Sequence, residues 1–166
     1  MPLDNINQPE MIRLSDMLRL KKYDGHFEQA LPGYQDPFVY QNSEGIFDDA
    51  KKPNSEYVER MCRYLNKVGE LYYIEAKEPG KFIPIGDVTV KPENPPIAIW
   101  RDDYRVRGIG FAVMTAVVDR LRALGFDRIT GSTVYVWYIA SQRLHEKLGF
   151  QELSRDEKEI TYELLL

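Results

Sequence analysis

Cysteine is almost missing from this chain. Of 166 residues only Cys62 is a cysteine, and only His26 and His145 are histidines. A lone thiol makes no internal disulfide, and three such ligands do not complete a zinc site. Long apolar runs are missing too, and nothing approaches the ~20 residues of a membrane helix. The start, Met1-Pro2-Leu3-Asp4, lacks a basic stretch followed by an apolar run. No secretory signal is therefore expected, and the cytoplasm is the expected compartment. Basic charge is not in excess either: 22 Lys and Arg face 26 Asp and Glu, a net charge of −4. Neither a nucleic-acid nor a membrane partner is expected. Repeats and low-complexity segments are absent. No heptad or apolar patch fixes an oligomeric state, and a homodimer is compatible with the sequence.

What is present is an ordinary globular composition, 43% hydrophobic and 29% charged. The length fits a single domain over 1–166 whose core needs neither disulfide nor metal. Hydrophobic periodicity predicts a strand within Met11–Leu20, with a helix as the alternative, and a short helix around His26–Leu31 stopped by Pro32-Gly33. Tyr34–Pro53 reads as an irregular crossing rich in aromatics and in the acids Asp36, Glu44, Asp48 and Asp49. It is either a functional loop or a surface crossing. A helix capped by Asn54 or Ser55 runs to Gly69. Strands follow over Leu71–Ala76, Phe82–Val90 and Ile97–Trp100, joined by turn signals at Glu78-Pro79-Gly80 and Lys91–Pro96. A long helix from about Gly108 to Leu124 buries Met114, Val117, Val118 and Leu121 and turns Asp119, Arg120 and Arg122 to water. A strand near Arg128–Val136, a helix from Ile139 to Leu148 and a closing hairpin, Phe150–Leu153 with Ile160–Leu165, complete the chain. Strands and helices in this mixture imply an α+β domain with a mixed, mostly antiparallel sheet flanked by helices.

The most informative segment is Arg105-Val106-Arg107-Gly108-Ile109-Gly110-Phe111, between a strand and a helix. Glycines one residue apart admit close approach of a ligand to the backbone. The free N–H groups of a helix start, its dipole and two arginines then suit an anion such as pyrophosphate. The dinucleotide fingerprint fails because Val113 stands where its third small residue belongs, and the Gly-Lys-Ser/Thr of ATPase phosphate loops is absent.

The remaining pattern, Arg-x-x-Gly-x-Gly, resembles the pyrophosphate motif of the GNAT acetyltransferases. A second stretch, Ser141–Phe150 with its terminal Gly149-Phe150, is similar to the second motif of that family. The resemblance is strong over Pro95–Phe150 and loose elsewhere. It implies a V-shaped opening between two parallel strands, here Ile97–Trp100 and Arg128–Val136, that takes acetyl-CoA as co-substrate without a metal. It implies that Arg105, Val106, Arg107, Gly108, Ile109, Gly110 and Phe111 hold the pyrophosphate. The strand edge at Ile99 and Trp100 would meet the pantetheine arm, and Ser141 would lie on the cofactor side of its helix.

The implied activity is acetyl transfer to a primary amine of a small molecule or peptide. The alternative is a non-catalytic acyl-CoA-binding sensor. The family often has a tyrosine as general acid where this chain has His145, and an asparagine where it has Tyr138. Histidine also donates protons, so His145 is the expected acid, and Tyr138 reads as packing before it reads as a donor. Glu75 and Asp87, which interrupt apolar strands, are the candidate bases, although a solvated sheet face explains either. Trp100 reads as core. Asp48 and Asp49 are expected to attract a cationic acceptor.

Overall fold

The computed structural model describes residues 7–166. The Met1–Asp4 start read above lies outside them. The N-terminal third differs most from expectation. Met11–Leu20 is not one strand but the two arms of a hairpin, β1 (Met11–Arg13) and β2 (Leu18–Lys22). Leu14 and Ser15 both donate to Leu18 O across the turn. A turn inside six apolar positions explains why their spacing fits neither period. Pro32 does not stop a helix but lies in the first turn of a short one, α1 (Leu31–Tyr34). Its missing N–H is harmless there. The same device begins α2 (Pro37–Glu44), where Pro37 follows the cap Asp36, whose carboxylate accepts from Phe38 N at 2.8 Å. The crossing from Tyr34 to Pro53 is therefore largely helical.

The rest follows the sequence pattern. Asn54 caps α3 (Ser55–Val68) by accepting from Tyr57 N. The strands β3 (Glu70–Glu78), β4 (Lys81–Val90) and β5 (Ile97–Ile99) extend the first hairpin into an antiparallel sheet of order β1-β2-β3-β4-β5. Then come α4 (Ile109–Ala123), β6 (Arg128–Tyr135), α5 (Ile139–Leu148), β7 (Gln151–Arg155) and β8 (Glu159–Leu165). The last three strands form a second sheet of order β6-β8-β7, so the terminal strand lies in its middle. Fold class is as expected, α+β with antiparallel sheets flanked by helices.

Strand alternation sends side chains to two cores. Tyr72, Ile74, Ile85 and Val88 meet Met114, Val117 and Leu121 of α4 on one face of the large sheet. Leu71, Tyr73 and Trp100 meet Val58, Cys62 and Leu65 of α3, with Tyr34 and Val39, on the other. Arg120, expected in water, instead turns inward and grips Glu70 with both arms, Nε to Oε1 at 2.9 Å and Nη2 to Oε2 at 2.8 Å. That bidentate pair fixes α4 to the start of β3.

Between the two sheets the segment before β5 and the strand β6 touch in one parallel bridge, Glu93 with Thr130. Asn94 N donates to Thr130 O at 2.8 Å and Thr130 N to Pro92 O at 2.9 Å. Beyond this point, among the described residues, β5 and β6 share no ladder. The space between them is the candidate site.

Candidate active site

A cavity of about 480 Å³ opens between the two sheets, within the range of small-molecule sites. Its walls include Ile97 and Ala98 of β5, Val134 and Tyr135 of β6, Tyr138, Ser141 and His145 at α5, Glu44 of α2, and Tyr57 and Met61 of α3. Five tyrosines line it: Tyr34, Tyr57, Tyr64, Tyr135 and Tyr138.

His145 is not on a helix surface. It is buried at 8% exposure, stacked on Tyr162 and edge-on to Phe150. Its Nδ1 lies 2.7 Å from Ser141 O one turn back. A carbonyl only accepts, so Nδ1 carries the proton and Nε2 the lone pair. Burial lowers its pKa, with the Ser141 contact opposing. His145 is thus neutral at pH 7 and presents an acceptor. That geometry reverses the expected acid role. Ser141 serves it through its backbone. Tyr138 caps the same helix, and burial raises its pKa against the nearby Arg105, so its phenol stays protonated.

Neither expected base lines the cavity. Glu75 is taken by Arg19, Nε to Oε1 at 2.7 Å, across the β2–β3 pair. Asp87 is no surface acid: at 4% exposure it accepts from Tyr34 Oη at 2.7 Å and Trp100 Nε1 at 2.9 Å. Burial pushes its carboxyl up to about 6, and those two hydrogen bonds hold it from going further. Trp100 belongs to the core as expected, and its indole faces Asp87 instead of the opening.

The acids that do reach the cavity are Glu159 of β8 and, at the end of α2, Glu44. Burial pushes Glu44 up to about 7; contact with the Tyr57 hydroxyl pulls back and the charge of Asp87 pushes in the same direction as burial. Its companions in the acidic segment have local tasks. Asp36 caps α2, Asp48 accepts from Ala50 N at 3.0 Å, and Asp49 accepts from Tyr40 Oη. In the sequence these four acids form one group, because the helix that sets Glu44 apart is not apparent from periodicity. The cap pair Asp36-Pro37 was the available signal: it starts a helix whose last residue is Glu44.

The Arg105–Phe111 turn lies at the other end of β5. Gly108 is the N-cap of α4 with φ 77°, a left-handed conformation glycine adopts freely. No side chain caps this end, so the first N–H groups of a 15-residue helix have no side-chain partner. A Cβ at Gly108 would meet no protein atom within 4 Å, so the turn faces open space. Val106 is fully exposed and itself left-handed, φ 58°. A β-branched residue there stores strain, as turns at functional sites do.

The two arginines divide their tasks. Arg105 donates to Ile99 O from Nε at 3.0 Å and to Trp100 O from Nη2 at 2.6 Å, and its guanidinium lies 3.9 Å above the Phe38 ring. It clamps the end of β5 to α2 instead of pointing to solvent. Arg107 is exposed, 5.3 Å from the Tyr104 ring, and is in no salt bridge among the described residues. A cation not singled out from sequence joins it: Lys147 of α5, whose Nζ is 4.3 Å from the Phe111 ring in the first turn of α4. The register along β5 completes the surface. Pro96 O and Trp100 N bond to β4, and Ala98 pairs with Asp87. Alternation therefore turns the backbone of Ile97 and Ile99 away from β4.

Among the described residues no cluster of His, Cys, Asp or Glu is placed to hold a metal ion, and no helix is long and apolar enough to cross a membrane.

A family model described as the acetyltransferase (GNAT) family matches residues 34–150. No curated protein sequence matches the chain. Solved structures do. A domain from Methanocaldococcus jannaschii shares 20% identity at a TM-score of 0.74, covering 90% of this chain and 98% of that one. The microcin C7 self-immunity acetyltransferase MccE, solved with acetyl-CoA and AMP, shares 14% at 0.68, covering 96% and 98%. Spermidine N-acetyltransferase from Vibrio cholerae, solved with CoA and spermine, shares 14% at 0.66, covering 91% and 96%. At these identities the likeness is one of fold.

Proposed function

The chain belongs to the GNAT acetyltransferase family, and on that premise we propose that it moves an acetyl group from acetyl-CoA to the primary amine of a cationic acceptor drawn in by Glu44. One observation carries the reading. The cavity beside the open edge of β5 is lined by an acid raised into the neutral range, a histidine with a free lone pair and a protonated phenol.

The residues present fit the coenzyme. Uncapped amides at the start of α4, the open turn at Gly108, and the cations Arg107 and Lys147 suit a diphosphate. The outward backbone of Ile97 and Ile99 suits an extended amide arm, like an added strand. When bound, acetyl-CoA supplies the activated acyl group as a thioester. Arg105 would serve indirectly, by holding β5 in place.

The acceptor arrives as an ammonium ion. With a pKa near roughly 10.4, less than about one in a thousand is neutral at pH 7. Glu44 attracts that charge and, with a pKa of about 7, takes the first proton at the pH where both of its forms are populated. His145 Nε2 accepts a hydrogen bond from the amine and fixes its lone pair. A C–N bond then forms as the C–S bond breaks, the nitrogen's second proton passes to His145 Nε2, and the sulfur gains one from the Tyr138 hydroxyl. Tyr138 recovers its proton through solvent, so one proton is released per turnover.

Thiol release from acetyl-CoA with a panel of amines tests this. Amine-dependent release that falls about a hundredfold in Glu44→Gln is expected. Tight acetyl-CoA binding without release on any amine would favour a sensor.

A further inference from the structure

Trp137 and Phe47 are large apolar side chains left on the surface, 38% and 58% exposed. They are not scattered. Trp137 lies flat on Tyr135, with centroids 4.5 Å apart and planes 5° from parallel. Phe47 meets Trp137 edge-on at 5.2 Å. Tyr135 is also a wall of the cavity, so the stack continues that wall outward. Its members come from the end of β6 and from the segment after α2, remote in sequence. Gly45 joins them: its φ is 67°, and a Cβ there would sit 2.6 Å from Tyr135 Oη. Only a glycine lets α2 end against Tyr135, and the residue before it is Glu44. Carboxylate and aromatic surface therefore meet at one turn.

We propose that Tyr135, Trp137 and Phe47 form the subsite for the flat, apolar body of the acceptor, which makes the acceptor an arylalkylamine instead of a polyamine. The inference rests on the reading that Glu44 receives the ammonium group. A cavity of about 480 Å³ must also admit the thioester end, so the acceptor enters amine first and leaves its body at the mouth. Exposed ring faces there offer stacking, and contiguous apolar surface on a small protein is often a binding surface.

Charge at the rim is mixed. Two ammonium groups of the chain already stand at the rim, Lys158 Nζ 5.9 Å from the Tyr135 ring and Lys91 Nζ 6.0 Å from the Tyr64 ring. They repel the distal charges of a polyamine and leave a neutral ring undisturbed. Glu159 is the other acid on the wall and would attract such charges, so the exposed ring faces, and not charge, make the acceptor aromatic.

Calorimetric titration of the full chain saturated with coenzyme A tests the subsite without requiring turnover. Three probes serve: 2-phenylethylamine, n-butylamine and spermidine. The first should bind about tenfold or more tighter than the second, and spermidine no tighter than butylamine. Trp137→Ala and, separately, Phe47→Ala should reduce that ratio below about threefold. Leu153→Ala, an exposed apolar side chain on β7, should preserve it. Equal affinity for 2-phenylethylamine and n-butylamine, a preference for spermidine, or a ratio that survives both aromatic deletions overturns the proposal. Thiol release separates the two readings. Release with butylamine or spermidine and no aromatic preference sinks the subsite alone. Aromatic preference in binding with no release on any amine sinks the transferase reading and leaves the subsite standing.

Discussion

The two ends of β5 are built by different means. At one end the turn before α4 offers its main chain. It presents uncapped amides and a left-handed glycine, with the side chains of Arg107 and Lys147 nearby. At the other end the cavity offers side chains that α2, α3, β6 and α5 bring together from both halves of the chain. A main-chain site is written in a short run of sequence, because glycine spacing and a helix start are local. A side-chain site is written only in the fold. That difference explains why the proposed donor half is legible in the residues and the proposed acceptor half is not.

Glu44→Gln is the strongest way to break this contrast. It should lower kcat/KM by about a hundredfold and leave acetyl-CoA affinity unchanged. It should also remove a rise in rate through pH 7, the point to which burial lifts this carboxyl. A rate profile with the same rise in the variant would remove Glu44 from the chemistry.

Asp87→Asn comes next and acts on stability. The folded-state pKa, about 6, lies above the ordinary 3.8. Between those values the native state keeps a proton that the unfolded chain has lost, so stability falls as pH rises through the window. Above pH 6 the full penalty is in place, about 3 kcal/mol. An asparagine oxygen still accepts from Tyr34 and Trp100 without carrying charge. Urea unfolding at pH 4 and pH 7.5 should therefore show the variant gaining on the wild type at the higher pH. A difference independent of pH would contradict the buried charge.

Gly108→Val probes the main-chain end. It forces a branched side chain into a left-handed turn, at about 1–2 kcal/mol, and fills open space on the anion side. Acetyl-CoA should bind about tenfold or more weakly, read by calorimetry. The smallest effect belongs to Asp48→Asn combined with Asp49→Asn. These acids bond their own segment, so the acceptor KM should move less than about twofold while stability drops by about 1 kcal/mol. A large rise in KM would return them to the acceptor site.

Most of the fold from α3 onward was legible, because Asn54, Gly69, Gly108 and Gly149 mark helix ends and the strands are rich in β-branched residues. The N-terminal third was not, for two reasons: a tight turn splits Met11–Leu20 into two short arms, and its prolines lie at helix starts. Pro32 and Pro37 start helices there, and proline at a first turn looks the same as proline that breaks one until the preceding cap is noticed. Missing α2 hid Glu44 among acids that serve as caps. The role of His145 was beyond any sequence argument, since it turns on which ring nitrogen meets Ser141 O. Arg105 was misplaced because a motif names a residue type and says nothing of where its guanidinium goes.

Hydrogen exchange of the backbone amides, with and without saturating acetyl-CoA, reads the main-chain end directly. Protection should appear at Ile109, Gly110 and Phe111 at the start of α4, and at Ile97 and Ile99 on the open edge of β5. Unchanged exchange at those amides in a protein that binds the coenzyme would place it elsewhere and undo the account.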